Sequence, residues 1–226
     1  PEGTVYLLNR NGMIFGGGAQ VDTHSLVATS LDLFSSDVKK SNAFFMKYGV
    51  GAAQDPEHIL SDTSTTVSLL VSSGDPTTRG AIRTEKGASI TAGADGMVIL
   101  AAPSVQHGGS IVADDGLVVL SAAPSLTWQP PASGKKGDVA YADSYVPQAG
   151  RPALSVANTG LIQAPRGAIH WLGPHIRQDG VVAASTSLSK PGSIVFDLVR
   201  TADAPHTPFC APSGATLPPR MVSLTL

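Results

Sequence analysis

One eight-residue pattern recurs along this 226-residue chain and limits its fold more than any other feature. Gly80-Ala81-Ile82-Arg83-Thr84-Glu85-Lys86-Gly87 reads as Gly-x-Ile-x-Ala/Thr-x-x-Gly. Residues 109–116 repeat it with Ile111 and Ala113, and residues 160–167 with Ile162 and Ala164. A weaker copy opens at Gly180-Val181-Val182 but carries Ser187 at the closing position. An apolar run follows the closing glycine, as in Leu117-Val118-Val119-Leu120 and Ala168-Ile169-His170-Trp171-Leu172. We take these copies as one rung, repeated. The local step supports this: Gly96 to Gly116 and Ile162 to Val182 each span 20 residues. Short strands, glycine corners and a step of that size fit one coil of a parallel β-helix.

The physical reason is simple. The Ile and Ala positions lie two apart, so they point to one side of a strand and into a narrow lumen. Glycine supplies corner angles that other residues resist. A single coil cannot bury its own apolar face, so coils must stack. The expected fold is therefore an all-β, right-handed parallel β-helix, a solenoid with extra-helical loops or hairpins.

Composition agrees. The chain has 24 glycines and 17 prolines, enough for many turns, and only 5% aromatics, so small and β-branched side chains must fill the core. Charged residues make up 14%, against a usual share of roughly a quarter. The net charge of −2 offers no basic field for a phosphate backbone, which argues against nucleic-acid binding. No apolar run approaches the roughly 20 residues that span a bilayer, so an integral membrane protein built on helices is not expected. The single cysteine, Cys210, excludes a disulfide framework within the chain, and no base stands beside it in the sequence.

Two stretches break the period. Residues 34–78 are polar and irregular, and residues 125–158 are rich in Pro, Gly and Lys. Both are too long for ordinary connections and are expected to leave the coil. Residues 37–48 could hold a short helix, with Ser36 as its N-cap. We expect a β-helix domain over residues 1–200 and a proline-rich tail or linker over 201–226. Pro1 stands where a methionine would open a complete chain, which suggests a fragment with its N-terminal cap removed.

The opening strand and its turn are the most specific element. Val5-Tyr6-Leu7-Leu8-Asn9-Arg10-Asn11-Gly12-Met13-Ile14-Phe15-Gly16 precedes Gly18-Ala19-Gln20-Val21-Asp22. Ser25-Leu26-Val27-Ala28-Thr29-Ser30-Leu31-Asp32-Leu33 follows. This order resembles the N-terminal two-partner-secretion domain of the filamentous haemagglutinin family. That family carries an Asn-Pro-Asn-Gly-Ile turn, then Phe-Gly, a Gly-rich Val segment and a Leu-Val/Ile-Ala-Ser/Thr stretch. The resemblance is close over residues 4–33 and looser over 80–124 and 158–198. Arg10 replaces the family's proline, which would preset the backbone angle entering the turn.

The resemblance implies export from a Gram-negative bacterium, through the periplasm, to the medium or the cell surface. It implies a partner: an outer-membrane β-barrel transporter with POTRA modules. The domain would target the chain for secretion and nucleate folding of a larger adhesive exoprotein, with a host-cell surface ligand or glycan as a further partner. Asn9, Arg10, Asn11, Gly12 and Met13 are then the secretion motif, in transporter recognition or in nucleation. The residues alone allow a blander role, because Asn suits turns and left-handed angles.

The competing class is a β-helical carbohydrate-active enzyme or polysaccharide-binding module. Asp114-Asp115 beside His107-Gly108-Gly109 suggests acid–base work on glycans. However, the histidine precedes the aspartates, and the rest of a pectin-hydrolase set is missing. Ser36-Asp37-Val38-Lys39 and Ser187-Leu188-Ser189-Lys190 lack the partners of a serine hydrolase. Gly16-Gly17-Gly18 lacks the third glycine of a dinucleotide loop, since Val21 stands there. Lys135-Lys136 lacks the upstream glycine of a phosphate loop. The six histidines, His24, His58, His107, His170, His175 and His206, show no metal spacing. We expect no enzyme, no cofactor and no metal.

Overall fold

The computed structural model describes residues 3–33, 67–70, 76–123, 125–129, 138–141, 144–145, 152–185, 191–201 and 222–224. The helix expected over 37–48, both Ser-x-x-Lys matches, Lys135-Lys136, His58, His206, Cys210 and most of the tail lie outside these residues.

The chain begins with β1 (Thr4–Leu8) and winds into a first coil of β2 (Met13–Phe15), β3 (Gln20–Thr23) and β4 (Ser25–Thr29). Two strands, β5 (Asp32–Leu33) and β6 (Val67–Leu70), leave the coil. The second coil is β7 (Ile82–Thr84), β8 (Ser89–Ala92) and β9 (Met97–Ala101). The third is β10 (Ser104–His107), β11 (Ser110–Ala113) and β12 (Leu117–Ser121). Three strands again leave: β13 (Ser125–Gln129), β14 (Asp138–Tyr141) and β15 (Ser144–Tyr145). The fourth coil is β16 (Ser155–Asn158), β17 (Leu161–Gln163) and β18 (Ala168–Gly173). The fifth is β19 (His175–Gln178), β20 (Val181–Ala183) and β21 (Ser193–Leu198). Two short strands follow, β22 (Arg200–Thr201), which pairs with β15, and β23 (Val222–Leu224), which lies antiparallel on β21.

Equivalent strands stack in parallel. Sheet 1 runs β1-β4-β9-β12-β18-β21, sheet 2 runs β2-β7-β10-β16-β19, and sheet 3 runs β3-β8-β11-β17-β20. This is a parallel β-helix, as the repeats require. Register holds one aliphatic column in each sheet. Met13, Ile82, Val105, Val156 and Ile176 stack in sheet 2. Val21, Ile90, Ile111, Ile162 and Val182 stack in sheet 3. Leu26, Val98, Val118, Ile169 and Ile194 stack in sheet 1. Burying each such side chain contributes roughly 1.5–3 kcal/mol, so stacking stabilises coils that could not stand alone.

The register corrects one reading of the repeats. The rung over 80–87 is not equivalent to those over 109–116 and 160–167. Ile82 pairs with Val105 in sheet 2, whereas Ile111 and Ile162 lie in sheet 3. The true counterpart of Ile111 is Ile90, one coil earlier. Ala88 stands where its leading glycine should be, and its closing Gly96 comes one residue later, so the glycine frame hides it. The 20-residue steps do hold: Met97 pairs with Leu117, and Ile162 with Val182.

The corners entering sheet 1 also stack. Asp95, Asp115 and Arg166 all have positive φ, between 54° and 57°. Each is the third residue of a turn closed by glycine: Gly96 N–H donates to Gly93 O, Gly116 to Ala113 O and Gly167 to Ala164 O. Positive φ at that position is type II geometry, and Pro165 occupies the second position, where its fixed φ fits. A Cβ on Gly116 would lie 2.4 Å from Gly96 O, and one on Gly167 would lie 2.3 Å from Gly116 O. Only glycine lets these corners touch.

The segments outside the coil join each other. Strands β14-β13-β6-β5 form one antiparallel side sheet, built from both breaks in the repeat. In sheet 1, Val98, Ile99 and Leu100 are all fully buried. Successive strand residues face opposite ways, so both faces of the sheet's middle strands are covered. Leu126 of β13 is fully buried in the same apolar cluster, which anchors the side sheet in the core. Among the described residues no helix is long and apolar enough to cross a membrane.

Candidate functional site

The turn expected to carry the secretion motif joins β1 to β2. Gly12 N–H donates to Asn9 O at 2.9 Å, closing a four-residue turn. Asn11 N–H donates to Asn9 Oδ1 at 3.0 Å, so Asn9 stabilises the turn with its own side chain. Neither Arg10 nor Asn11 has positive φ, whereas Gly12 has φ +87°. This is a type I turn with glycine at its fourth position. Its second residue needs a φ near that of proline, and Arg10 adopts it without the ring.

The next coil completes the turn. Asn9 N–H donates to Thr29 O, Gly80 N–H donates to Arg10 O at 2.8 Å, and Met13 N–H donates to Ala81 O at 2.9 Å. A Cβ on Gly80 would lie 2.0 Å from the Asn11 carbonyl, and one on Gly12 would lie 2.3 Å from Ala81 O. The two corners thus meet backbone to backbone, 68 residues apart in sequence. Met13 packs partly buried against the core. The side chains of Asn9, Arg10 and Asn11 face solvent. The Gly80–Ala81 docking partner was not evident from the sequence, because Gly80 reads there as the start of a rung.

The motif residues of the enzyme reading do not converge. His107 ends β10, and Asp115 lies in the turn at the far end of β11. His107 is buried at 2% exposure. Thr84 Oγ1 lies 2.5 Å from its Nδ1, and Leu161 O lies 3.2 Å from its Nε2. A carbonyl can only accept, so Nε2 carries the proton and Nδ1 accepts from the Thr84 hydroxyl. Burial pushes the His107 pKa below its usual value. The ring is a neutral member of a polar ladder. In register below it, Asn158 Nδ2 donates to Gln178 Oε1 at 2.9 Å, and Asn158 Oδ1 accepts from Gly160 N–H. Asp115 is committed elsewhere: Arg166 Nε and Nη2 clamp its carboxylate, the closest contact being 2.6 Å. Asp114 is exposed.

The remaining motifs resolve structurally. Gly16-Gly17-Gly18 leads into strand β3 and not into a helix, so no helix N-terminus awaits a phosphate. Gly17 N–H instead donates to Glu85 Oε2 at 3.3 Å. His170 lies half-buried in sheet 1, and His175 is exposed. Among the described residues no three His, Cys, Asp or Glu side chains gather around a common point.

No protein-family profile matches this chain, and no curated protein matches its sequence. A solved structure does. The HMW1 secretion domain from Haemophilus influenzae superposes with a TM-score of 0.56 over 85% of this chain, at 22% identity. The fold is shared with a secretion domain. The chain covers 42% of that neighbour's length. At this level of identity the likeness establishes the architecture.

Proposed function

We propose that this chain is the secretion-targeting and folding-nucleation domain of a filamentous-haemagglutinin-like exoprotein. In this reading a Gram-negative cell exports it through the periplasm and a partner β-barrel transporter with POTRA modules. It ends in the medium or on the cell surface, and the parent protein acts in adhesion. The observation that carries the reading is the turn at 9–12: a self-closing motif with three solvent-facing polar side chains, on a fold shared with a secretion domain. Asn9 Oδ1 and the Gly12 N–H need only local chain, so the turn can form as the segment emerges. The Gly80–Ala81 corner then docks on it and starts coil stacking. The domain is non-enzymatic in this reading, since His107 and Asp115 are both engaged in structural bonds.

The test is co-expression with the cognate transporter, scoring export of the wild-type chain, Asn11→Ala and a chain lacking residues 4–33. Export should disappear on deletion and fall in Asn11→Ala, while purified Asn11→Ala keeps its melting temperature. Unchanged export of Asn11→Ala would remove the recognition role and leave the turn a purely structural element.

A further inference from the structure

A groove of about 920 Å³ crosses the outer face of sheet 2. Its floor is a row of outward positions in register: Arg83 on β7, Gln106 on β10, Ala157 on β16 and Arg177 on β19. Ala157 is the small member. It opens a gap between its larger neighbours, which makes a depression out of a flat face. Strands stack at about 4.8 Å, so the Arg83 and Arg177 backbones stand roughly 14 Å apart along the groove. Lys86 adds a third cation at the Arg83 end, with Ser155 and Thr159 bringing hydroxyls to the sides.

Arg83 is held in place. Arg83 Nε and Nη2 both donate to Gln106 Oε1, at 3.1 and 2.8 Å. Two of its five donors are used, and three remain to be offered. Arg177 is 76% exposed and pairs with Asp179 at 2.5 Å, a solvent-screened contact that an incoming anion can displace. Among the described residues, Glu85 is the only carboxylate in the lining. Among the described residues no aromatic ring lines the groove, so they offer no platform for stacking neutral sugars. Sheet 2 presents a face here and not an edge, so strand addition by a peptide has no hydrogen-bonding partner. An elongated, hydroxyl-lined trough with cations at both ends matches an extended chain that carries anions and hydroxyls.

We infer that this groove binds a linear anionic glycan, laid along the coil axis with its sulfate or carboxylate groups at Arg83, Lys86 and Arg177. The inference names a ligand class for the adhesive part of the reading above and rests on that part, not on export.

The experiment titrates the purified full chain with labelled oligosaccharides from heparin, from polygalacturonate and from neutral dextran, and with a poly-glutamate peptide. At least one anionic oligosaccharide should bind, weakening with rising salt, while dextran does not. Binding by the heparin fragment alone assigns sulfate, and by polygalacturonate alone assigns carboxylate. Arg83→Gln with Arg177→Gln should weaken it about tenfold or more, since charge-assisted bonds are lost. Ala157→Leu, which fills the depression and keeps every charge, should weaken it similarly. The inference is overturned if no anionic glycan binds, if these folded variants bind like wild type, or if poly-glutamate binds as tightly as the glycans. The same variants should be exported normally, so a failure here is distinct from a failure of the secretion reading.

Discussion

Gly80 and Gly18 show how much one hydrogen can decide. A Cβ on Gly80 would sit 2.0 Å from the Asn11 backbone, which has no flexible end to move away. Gly80→Ala should therefore cost about 2–3 kcal/mol, as overpacking does. Gly18 has open space around its hypothetical Cβ, and Gly18→Ala should stay within about 0.5 kcal/mol. Urea denaturation of the two variants checks the contrast, and equal losses would mean that the turn and the Gly80 corner do not touch. His107 offers a second test at this scale. Its burial favours the neutral ring, so the folded pKa lies below the ordinary value of 6.5. As pH falls through 6.5 the unfolded chain takes a proton that the folded chain refuses. Stability is thus complete above that pH and declines below it, by at most about 1.4 kcal/mol per pH unit, until the folded pKa is reached. His107→Asn should flatten this decline in denaturation midpoints measured between neutral and mildly acidic pH. A slope identical to wild type would place the proton uptake elsewhere.

At the scale of elements, the side sheet matters most. Strand β6 comes from one break in the repeat and β13 and β14 from the other, yet with β5 they hydrogen-bond into a single layer. Leu126 on β13 is fully buried with the core of the coil. Leu126→Ala should cost about 2–5 kcal/mol, the loss expected in a packed interior. Thermal or urea melts decide, because a hairpin hanging free of the coil would lose less than about 1 kcal/mol. Sheet 1 carries the same lesson. Its middle strands are near-continuous apolar runs, as in Leu117-Val118-Val119-Leu120, because both of their faces are covered. Sheets 2 and 3 alternate buried and exposed residues, as in β7 and β10, because solvent meets their outer face.

The whole molecule is quasi-one-dimensional, and its stability should be graded along the axis. Each coil touches only its neighbours, so middle coils have two interfaces and end coils one. Strands β2 and β3 are the first strands of sheets 2 and 3, and β19 and β20 the last. Hydrogen exchange should be slowest in β9 and β12, and faster in β2, β3, β19 and β20. Uniform protection across the coils would show that the stack unfolds as one unit. The groove belongs to this scale too. Four coils contribute one side chain each to its floor, and none of the four is notable alone.

What the sequence determined by itself was whatever repeats locally. Ile111 with Ala113 and Ile162 with Ala164 announce inward positions, and the 20-residue steps announce stacked coils. The turn at 9–12 announces itself through Asn, Asn and Gly, because its bonds close within four residues. Tertiary structure decided everything that depends on register. A strand of sheet 2 and a strand of sheet 3 both follow a small corner residue with alternating apolar positions, so the rung at Gly80 looked like those at Gly109 and Gly160. Only pairing across coils shows that Ile82 stacks on Val105. Contacts between distant segments were equally hidden: Arg166 on Asp115, Gly80 on Asn11, β6 on β13. Local composition records which face a residue prefers, while the identity of its neighbour is settled by where stacking brings the chain back.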